Sequence, residues 1–206
     1  MGPRSDFYTK APSDSLIGGW GFNSPKAKLY QAYVAAGDVE RKNATVMSEA
    51  ELKAMGGNWT ATNAYDYEGY FQRKYSTYSM QTGAPVAELN YGTNWRLIRY
   101  ADVLLMAAEA HYRAGTEGKA REYLNAVRVR SELAPISPSG EALFAAIVRE
   151  RQLELAFEGF RYQDLVRWGL ATQELGPLGF QANKHQMLPI PGEDVRTAGL
   201  PQNPNY

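Results

Sequence analysis

One run limits what this chain can fold into more than any other. Residues 150–168 read Glu-Arg-Gln-Leu-Glu-Leu-Ala-Phe-Glu-Gly-Phe-Arg-Tyr-Gln-Asp-Leu-Val-Arg-Trp. Glu150, Glu154 and Glu158 are four apart, so a helix through them stacks three carboxylates on one face. Each such pair repels by about 0.2–0.5 kcal/mol. Leu153, Leu155, Ala156 and Phe157 make the same helix at least partly buried, and buried charges need partners. Arg151, Arg161 and Arg167 are local candidates; Arg96, Arg99, Arg128 and Arg130 come from elsewhere. The run therefore predicts a structural ion-pair network of Arg99, Glu150, Arg151, Glu154, Glu158, Arg161, Asp164 and Arg167. The rival reading is catalytic. Glycosidases use two carboxylates about 5–10 Å apart, and residues one helical turn apart lie about 6 Å apart. A working acid needs a raised pKa, however, and surrounding guanidinium groups push it down. No residue is assigned a catalytic role, and the chain is read as not an enzyme.

Bulk properties exclude several classes. Lys plus Arg total 22 and Asp plus Glu total 22, so the basic excess of a nucleic-acid binder is missing. Cysteine is absent, which removes zinc-thiolate sites, disulfides and cysteine nucleophiles. His111 and His185 are the two histidines, too few for a histidine-based metal site or a Ser-His-Asp triad; no metal or cofactor is expected. No apolar run approaches 18 residues, and the start, Met-Gly-Pro-Arg-Ser-Asp-Phe-Tyr, is not a signal peptide.

The texture changes near Asn94. Before it, Gly, Asn, Thr, Ser and Tyr dominate. Residues 26–36 form a candidate helix closed by Gly37. Residues 48–55 form another, with Ser48 and Glu51 as a capping box and Gly56-Gly57 as the stop. Residues 70–78 alternate loosely, as a strand does. After Asn94 helical periodicity is strong. Leu97, Tyr100, Ala101, Leu104, Leu105, Ala108 and Tyr112 fall on one stripe, Gly115 is a turn, and Ala120, Tyr123, Leu124 and Val127 form a second stripe. Small residues at the crossing and glycine in the turn fit a tetratricopeptide-type hairpin. One such repeat cannot bury its outer faces, so stacking partners are needed. Residues 139–158 are predicted as the charged helix, 160–171 as a shorter one, and the Pro-rich tail as extended. The fold class is mainly α: a tetratricopeptide-like helical hairpin with additional helices, long irregular loops and little β. It is read as a single domain over 1–206, with a loop-rich aromatic part (1–94) and a helical part (95–206).

Seven aromatics crowd between Trp59 and Tyr78, where the chain average is 12%. Sugar rings stack on Trp and Tyr while polar side chains serve their hydroxyls. Trp59, Asn63, Tyr65, Asp66, Tyr67, Tyr70 and Gln72 supply that mixture, and Trp20 with Asn23 a smaller one. Ordinary core packing is the alternative for the same rings.

Several segments together resemble the SusD/RagB family of glycan-capture lipoproteins. Trp95-Arg-Leu-Ile-Arg-Tyr-Ala-Asp-Val-Leu-Leu-Met-Ala-Ala-Glu-Ala110 is similar to that family's "LRYAEVLLMYAEA" helix, and Asn125-Ala-Val-Arg-Val-Arg130 to its "N-x-V-R-x-R". Residues 150–168 are similar to its "ER…EL…EG…R…DL…RW", and Leu188-Pro-Ile-Pro and Gln202-Asn-Pro-Asn-Tyr206 to its "PIP" and "QNPGY". Asp102 stands for the usual Glu and Asn205 for the usual Gly. The resemblance covers residues 95–206 and implies the C-terminal part of a longer protein whose lipid-anchored start is not in this chain. It implies surface exposure on a bacterial outer membrane, capture of oligosaccharide or polysaccharide, and delivery to a TonB-dependent, SusC-like transporter. Its charged motifs would hold the fold. Two rivals remain: a tetratricopeptide-like interaction scaffold with no ligand of its own, and a glycoside hydrolase.

Overall fold

The computed structural model describes residues 7–9, 16, 18–60, 65–76, 78, 94 and 96–206. The chain falls into two compact units, residues 1–157 and 158–206.

The first unit begins with β1 (Tyr8–Thr9) and α1 (Ala27–Ala36). Gly37 ends α1 at φ +64°, returning its N–H to Tyr33 and Val34; an L side chain adopts that backbone only with strain. Asp38 then caps α2 (Val39–Thr45), its carboxylate accepting from the Arg41 N–H at 3.2 Å. The weak periodicity of this stretch had hidden α2. The strand β2 (Val46–Ser48) runs into α3 (Glu49–Ala54), whose predicted capping box is complete. Ser48 Oγ accepts from the Glu51 N–H at 3.2 Å, and Glu51 Oε2 accepts from the Ser48 N–H at 2.7 Å. Caps of this kind are worth about 1 kcal/mol.

Two short strands complete the irregular part, β3 (Asn58–Trp59) and β4 (Tyr70–Gln72). β1 pairs antiparallel with β3, Tyr8 opposite Trp59; β2 pairs antiparallel with β4, Met47 opposite Phe71. Two-stranded ribbons need packing to persist. Here they enclose a core of Tyr8, Leu16, Met47, Leu52, Trp59 and Phe71.

The helical hairpin is α4 (Tyr100–Arg113) and α5 (Glu117–Arg130), turning at Gly115 with φ +73°. α6 (Gly140–Glu154) packs against both. Leu105, Ala108, Ala120, Leu124, Val127, Leu143 and Ile147 are buried between them, each large aliphatic side chain worth about 1.5–3 kcal/mol. Ala108 and Ala120 let the hairpin helices approach. Asn125 fastens the α5–α6 connection: its amide donates to Ile136 O and accepts from Ile136 N–H, both at 2.9 Å. On its other side α4 leaves Tyr100, Val103 and Met106 exposed. The stripe through Leu105 and Ala108 is covered, whereas Leu97 and Tyr100, expected on it from the sequence, are exposed.

α6 stops four residues earlier than the sequence pattern suggests. Residues 155–159 form turns, and Phe157 sits at φ +66°. Glu158 is thus not on the helix that carries Glu150 and Glu154, and the three-carboxylate stack reduces to two. Phe157, Leu29 and Tyr30 pack around Tyr33, Val46 and Leu153.

The second unit holds α7 (Arg161–Arg167), α8 (Ala171–Leu175), a 3-10 turn (Gly176–Leu178) and α9 (Gly192–Ala198). α9 corrects the expectation of a wholly extended tail. Glu193 and Asp194 in its first turn and Gly199 at φ +62° past its end are the usual helix-terminal chemistry. The final residues are fastened by amide side chains. Gln202 accepts from Ile190 N–H at 2.8 Å and donates to Ile190 O at 2.9 Å, repeating the Asn125 device. Asn203 donates to Leu188 O, and Asn205 to Asn183 O at 2.8 Å. Asn205 lies at φ +68°, which explains a position where glycine is usual: asparagine tolerates that backbone and here adds a hydrogen bond.

Candidate functional site

The charged residues of the first unit converge at the end of α6. Arg41 is the centre. Its guanidinium lies 2.6 Å from Asp38 Oδ2, 2.6 Å from Glu150 Oε1 and 3.2 Å from Glu154 Oε2. Glu150 also receives Arg128 at 3.1 Å. Glu154 also receives Arg99 at 2.9 Å, and Arg130. Lys74 and Arg99 donate to the Glu154 carbonyl at 2.8 and 3.1 Å. Beside this cluster Arg151 pairs with Asp102 at 2.8 Å, both buried. Tyr33 Oη donates to Leu153 O at 2.6 Å, and burial pushes its phenol pKa up.

The chemistry of this cluster is that of a clasp. Burial on its own would raise the Glu154 carboxyl, but the Arg99 hydrogen bond, the charges of Arg130 and Arg99 and the Arg41 hydrogen bond hold it below the ordinary range. A general acid needs the opposite. In the second unit Asp164 pairs with Arg167 at 2.8 Å, and burial lowers the pKa of Arg161. Asp38 and Arg41 were missed by sequence reasoning. Their signal was an Asp three residues before an Arg just past a helix-stopping glycine, in a stretch with no periodicity to mark it.

The proposed sugar-contacting residues separate into two groups. Trp59 is 6% exposed, with the rings of Phe7, Tyr67 and Phe71 at 5.6, 5.0 and 5.0 Å. Gln72 is 3% exposed, and neither of its amide atoms has a hydrogen-bond partner among the described residues. Both side chains are buried, so neither presents a face to a ligand. Tyr67 is half-buried, its hydroxyl donating to Glu49 Oε2 at 2.8 Å. The resulting environment, burial first and then that carboxylate, raises its pKa. Tyr70 is half-buried with its ring 4.6 Å from that of Tyr30. Asn63 lies outside the described residues.

Trp20, Asn23, Tyr65 and Asp66 form the exposed group. Trp20 is 61% exposed and Tyr65 is 91% exposed. Phe22, not singled out from the sequence, is 66% exposed, its ring 6.0 Å from that of Trp20. Its signal was its place two residues after Trp20 in a Gly-rich run. Asn23 and Asp66 both sit at φ +58°, a backbone that Asn and Asp tolerate at the tips of tight turns. The two segments are joined by Lys26, which hydrogen-bonds Asp66 and reaches Glu68 Oε1 at 3.0 Å. Glu68 Oε2 in turn accepts from the Ala27 N–H at 2.8 Å. The result is a pair of tied loops carrying three exposed aromatic rings beside amide and carboxylate groups. No group of three metal-ligating side chains occurs among the described residues, and none of their helices is long and apolar enough to cross a membrane.

Comparison with known proteins gives the family of this chain. The SusD family model matches residues 4–188. The chain belongs to the SusD family. It is 32% identical to SusD-like protein P2 of Formosa agariphila, over 91% of this chain and 41% of that protein. A solved laminarin-binding SusD-like protein superposes with a TM-score of 0.83 at 35% identity, over all of this chain and 43% of its own. Surface glycan-binding protein A from Bacteroides uniformis superposes with a TM-score of 0.72 at 29% identity, over 93% of this chain and 45% of its own. The chain thus spans less than half the length of these relatives.

Proposed function

We propose that this chain is the glycan-capturing C-terminal portion of a SusD-type protein. It binds oligosaccharide or polysaccharide without cleaving it, at the surface of a bacterial outer membrane, and hands it to a TonB-dependent, SusC-like transporter. One observation carries the reading: Trp20, Phe22 and Tyr65 stand exposed on two loops tied through Lys26, in a chain of this family. Rings of this kind offer flat apolar faces to the C–H faces of pyranoses, and Asn23 and Asp66 offer partners to hydroxyls. Membership of the family, the laminarin-binding relative and the surface glycan-binding relative support the ligand class and the location. A few stacked rings give modest affinity, micromolar to millimolar, about −4 to −8 kcal/mol. Burial and pairing of Glu150 and Glu154 support the absence of hydrolysis.

Affinity electrophoresis on a panel of polysaccharides tests the reading. Retardation by at least one glycan is expected, and Trp20→Ala with Tyr65→Ala should weaken it at least about tenfold, the equivalent of 1.4 kcal/mol. Unchanged retardation in the double variant removes these loops from the site. A second reading, an interaction scaffold, is favoured by the exposed Tyr100, Val103 and Met106 of α4; it predicts retardation by no glycan at all. Release of reducing sugar, abolished by Glu154→Gln, would instead turn the clasp into a hydrolase site.

A further inference from the structure

The two loops commit their positive charges and leave a negative one available. Lys26 is shared between Asp66 Oδ1 and Glu68 Oε1. The Asp66 hydrogen bond, opposed in part by burial and aided by Glu68, raises the Lys26 pKa, so the ammonium stays protonated between the two acids. Lys28, in the first turn of α1, has a partner of its own. Among the described residues of 18–28 and 65–68, then, no cation stands uncommitted. Asp66 Oδ2, by contrast, has no hydrogen-bond donor among the described residues, and its side chain is 45% exposed. A carboxylate oxygen in that position accepts a sugar hydroxyl, and it repels a second anion.

We propose that the site selects uncharged polysaccharides and rejects chains bearing uronate or sulfate groups. Asp66 and Glu68 set that preference. This rests on the glycan-binding reading above and adds the charge class of the ligand. The physical basis is asymmetric. Anionic glycans are held by free Arg or Lys side chains, and both lysines here are occupied. A like charge facing two carboxylates that share a single ammonium lowers affinity for the wrong ligand without help from any clash. Stacking on Trp20, Phe22 and Tyr65 does not depend on ligand charge.

Affinity electrophoresis of the 206-residue chain against laminarin, xylan, galactomannan and hydroxyethylcellulose, with alginate, polygalacturonate and carrageenan in parallel, decides it. At least one neutral glycan should retard the protein about tenfold more strongly than any anionic one. The neutral interaction should be unchanged between low salt and about 0.3 M NaCl, since no ion pair is screened. Equal or stronger retardation by an anionic glycan overturns the proposal while leaving glycan binding intact. Retardation by none overturns the binding reading and the proposal with it. The double variant Asp66→Asn, Glu68→Gln releases Lys26 and should gain measurable retardation on alginate at low salt. A double variant that still ignores alginate refutes the assignment of selectivity to these two acids.

Discussion

Replacing Arg41 with Met removes the centre of the clasp and keeps its aliphatic bulk. Three carboxylates lose a partner, but unequally. Glu150 keeps Arg128 at 3.1 Å, and Glu154 keeps Arg99 at 2.9 Å together with Arg130. Asp38 keeps no cation among the described residues, and it is almost wholly buried. Stranding a buried charge by deleting its partner costs about 3–5 kcal/mol. That is a large share of the 5–15 kcal/mol that holds a typical domain. Urea unfolding followed by circular dichroism reads the cost as a fall in the transition midpoint at constant slope. Arg41→Lys should fall between wild type and Arg41→Met, because a single ammonium cannot reach three carboxylates as a guanidinium fork does. Raising salt to about 0.5 M should not erase the difference, since buried pairs are poorly screened. A loss below about 1 kcal/mol in Arg41→Met, or full compensation by salt, would refute the claim that this cluster is a buried structural clasp.

Three further outcomes are expected. Trp59→Ala should destabilise the first unit by about 3–5 kcal/mol, as large-to-small changes in a packed core do; a stable variant with weakened glycan retardation would instead return Trp59 to the binding site. Glu132 is exposed and sits at φ +60° just past α5, where Leu133 N–H bonds Arg128 O at 3.0 Å. Glu132→Gly should therefore stabilise by about 0.5–1 kcal/mol in urea titration, relief of left-handed strain outweighing the entropy of glycine. Its arginine partners hold the folded-state pKa of Glu154 below the ordinary glutamate value of 4.5, so the unfolded chain binds the extra proton. Its contribution is present above about pH 4.5 and is lost as pH falls through the folded-state value. The midpoint of thermal unfolding should drop across that window, less steeply in Glu154→Gln; an identical acid limb in the variant would contradict the argument.

Where the chain carries regular chemistry, its structure was legible. The capping box at Ser48 and Glu51, the small residues of the α4–α5 crossing and the end of α1 at Gly37 follow from local rules. α2 and α9 were not legible: each is seven residues long, too short for a hydrophobic period to repeat. The clasp was half legible. Acids in an apolar helix demand cations, but composition cannot say that Arg41 answers when Arg96 is as near in kind. Aromatic density was misleading for the same reason. Trp59 and Trp20 look alike in sequence; pairing of β1 with β3 buries one, and Gly-rich chain leaves the other outside.

Arg41 meets Glu150 and Glu154 across separations of 109 and 113 residues. During synthesis the amino-terminal helices therefore emerge long before the acids that neutralise them. Contacts so distant along the chain form late, and the unit cannot close until Glu154 has left the ribosome. Truncation at Asn94, where the composition changes, would release a polypeptide with half a lock and no bolt: Arg41 would face Asp38 alone, and the apolar flank beside it would be open to aggregation.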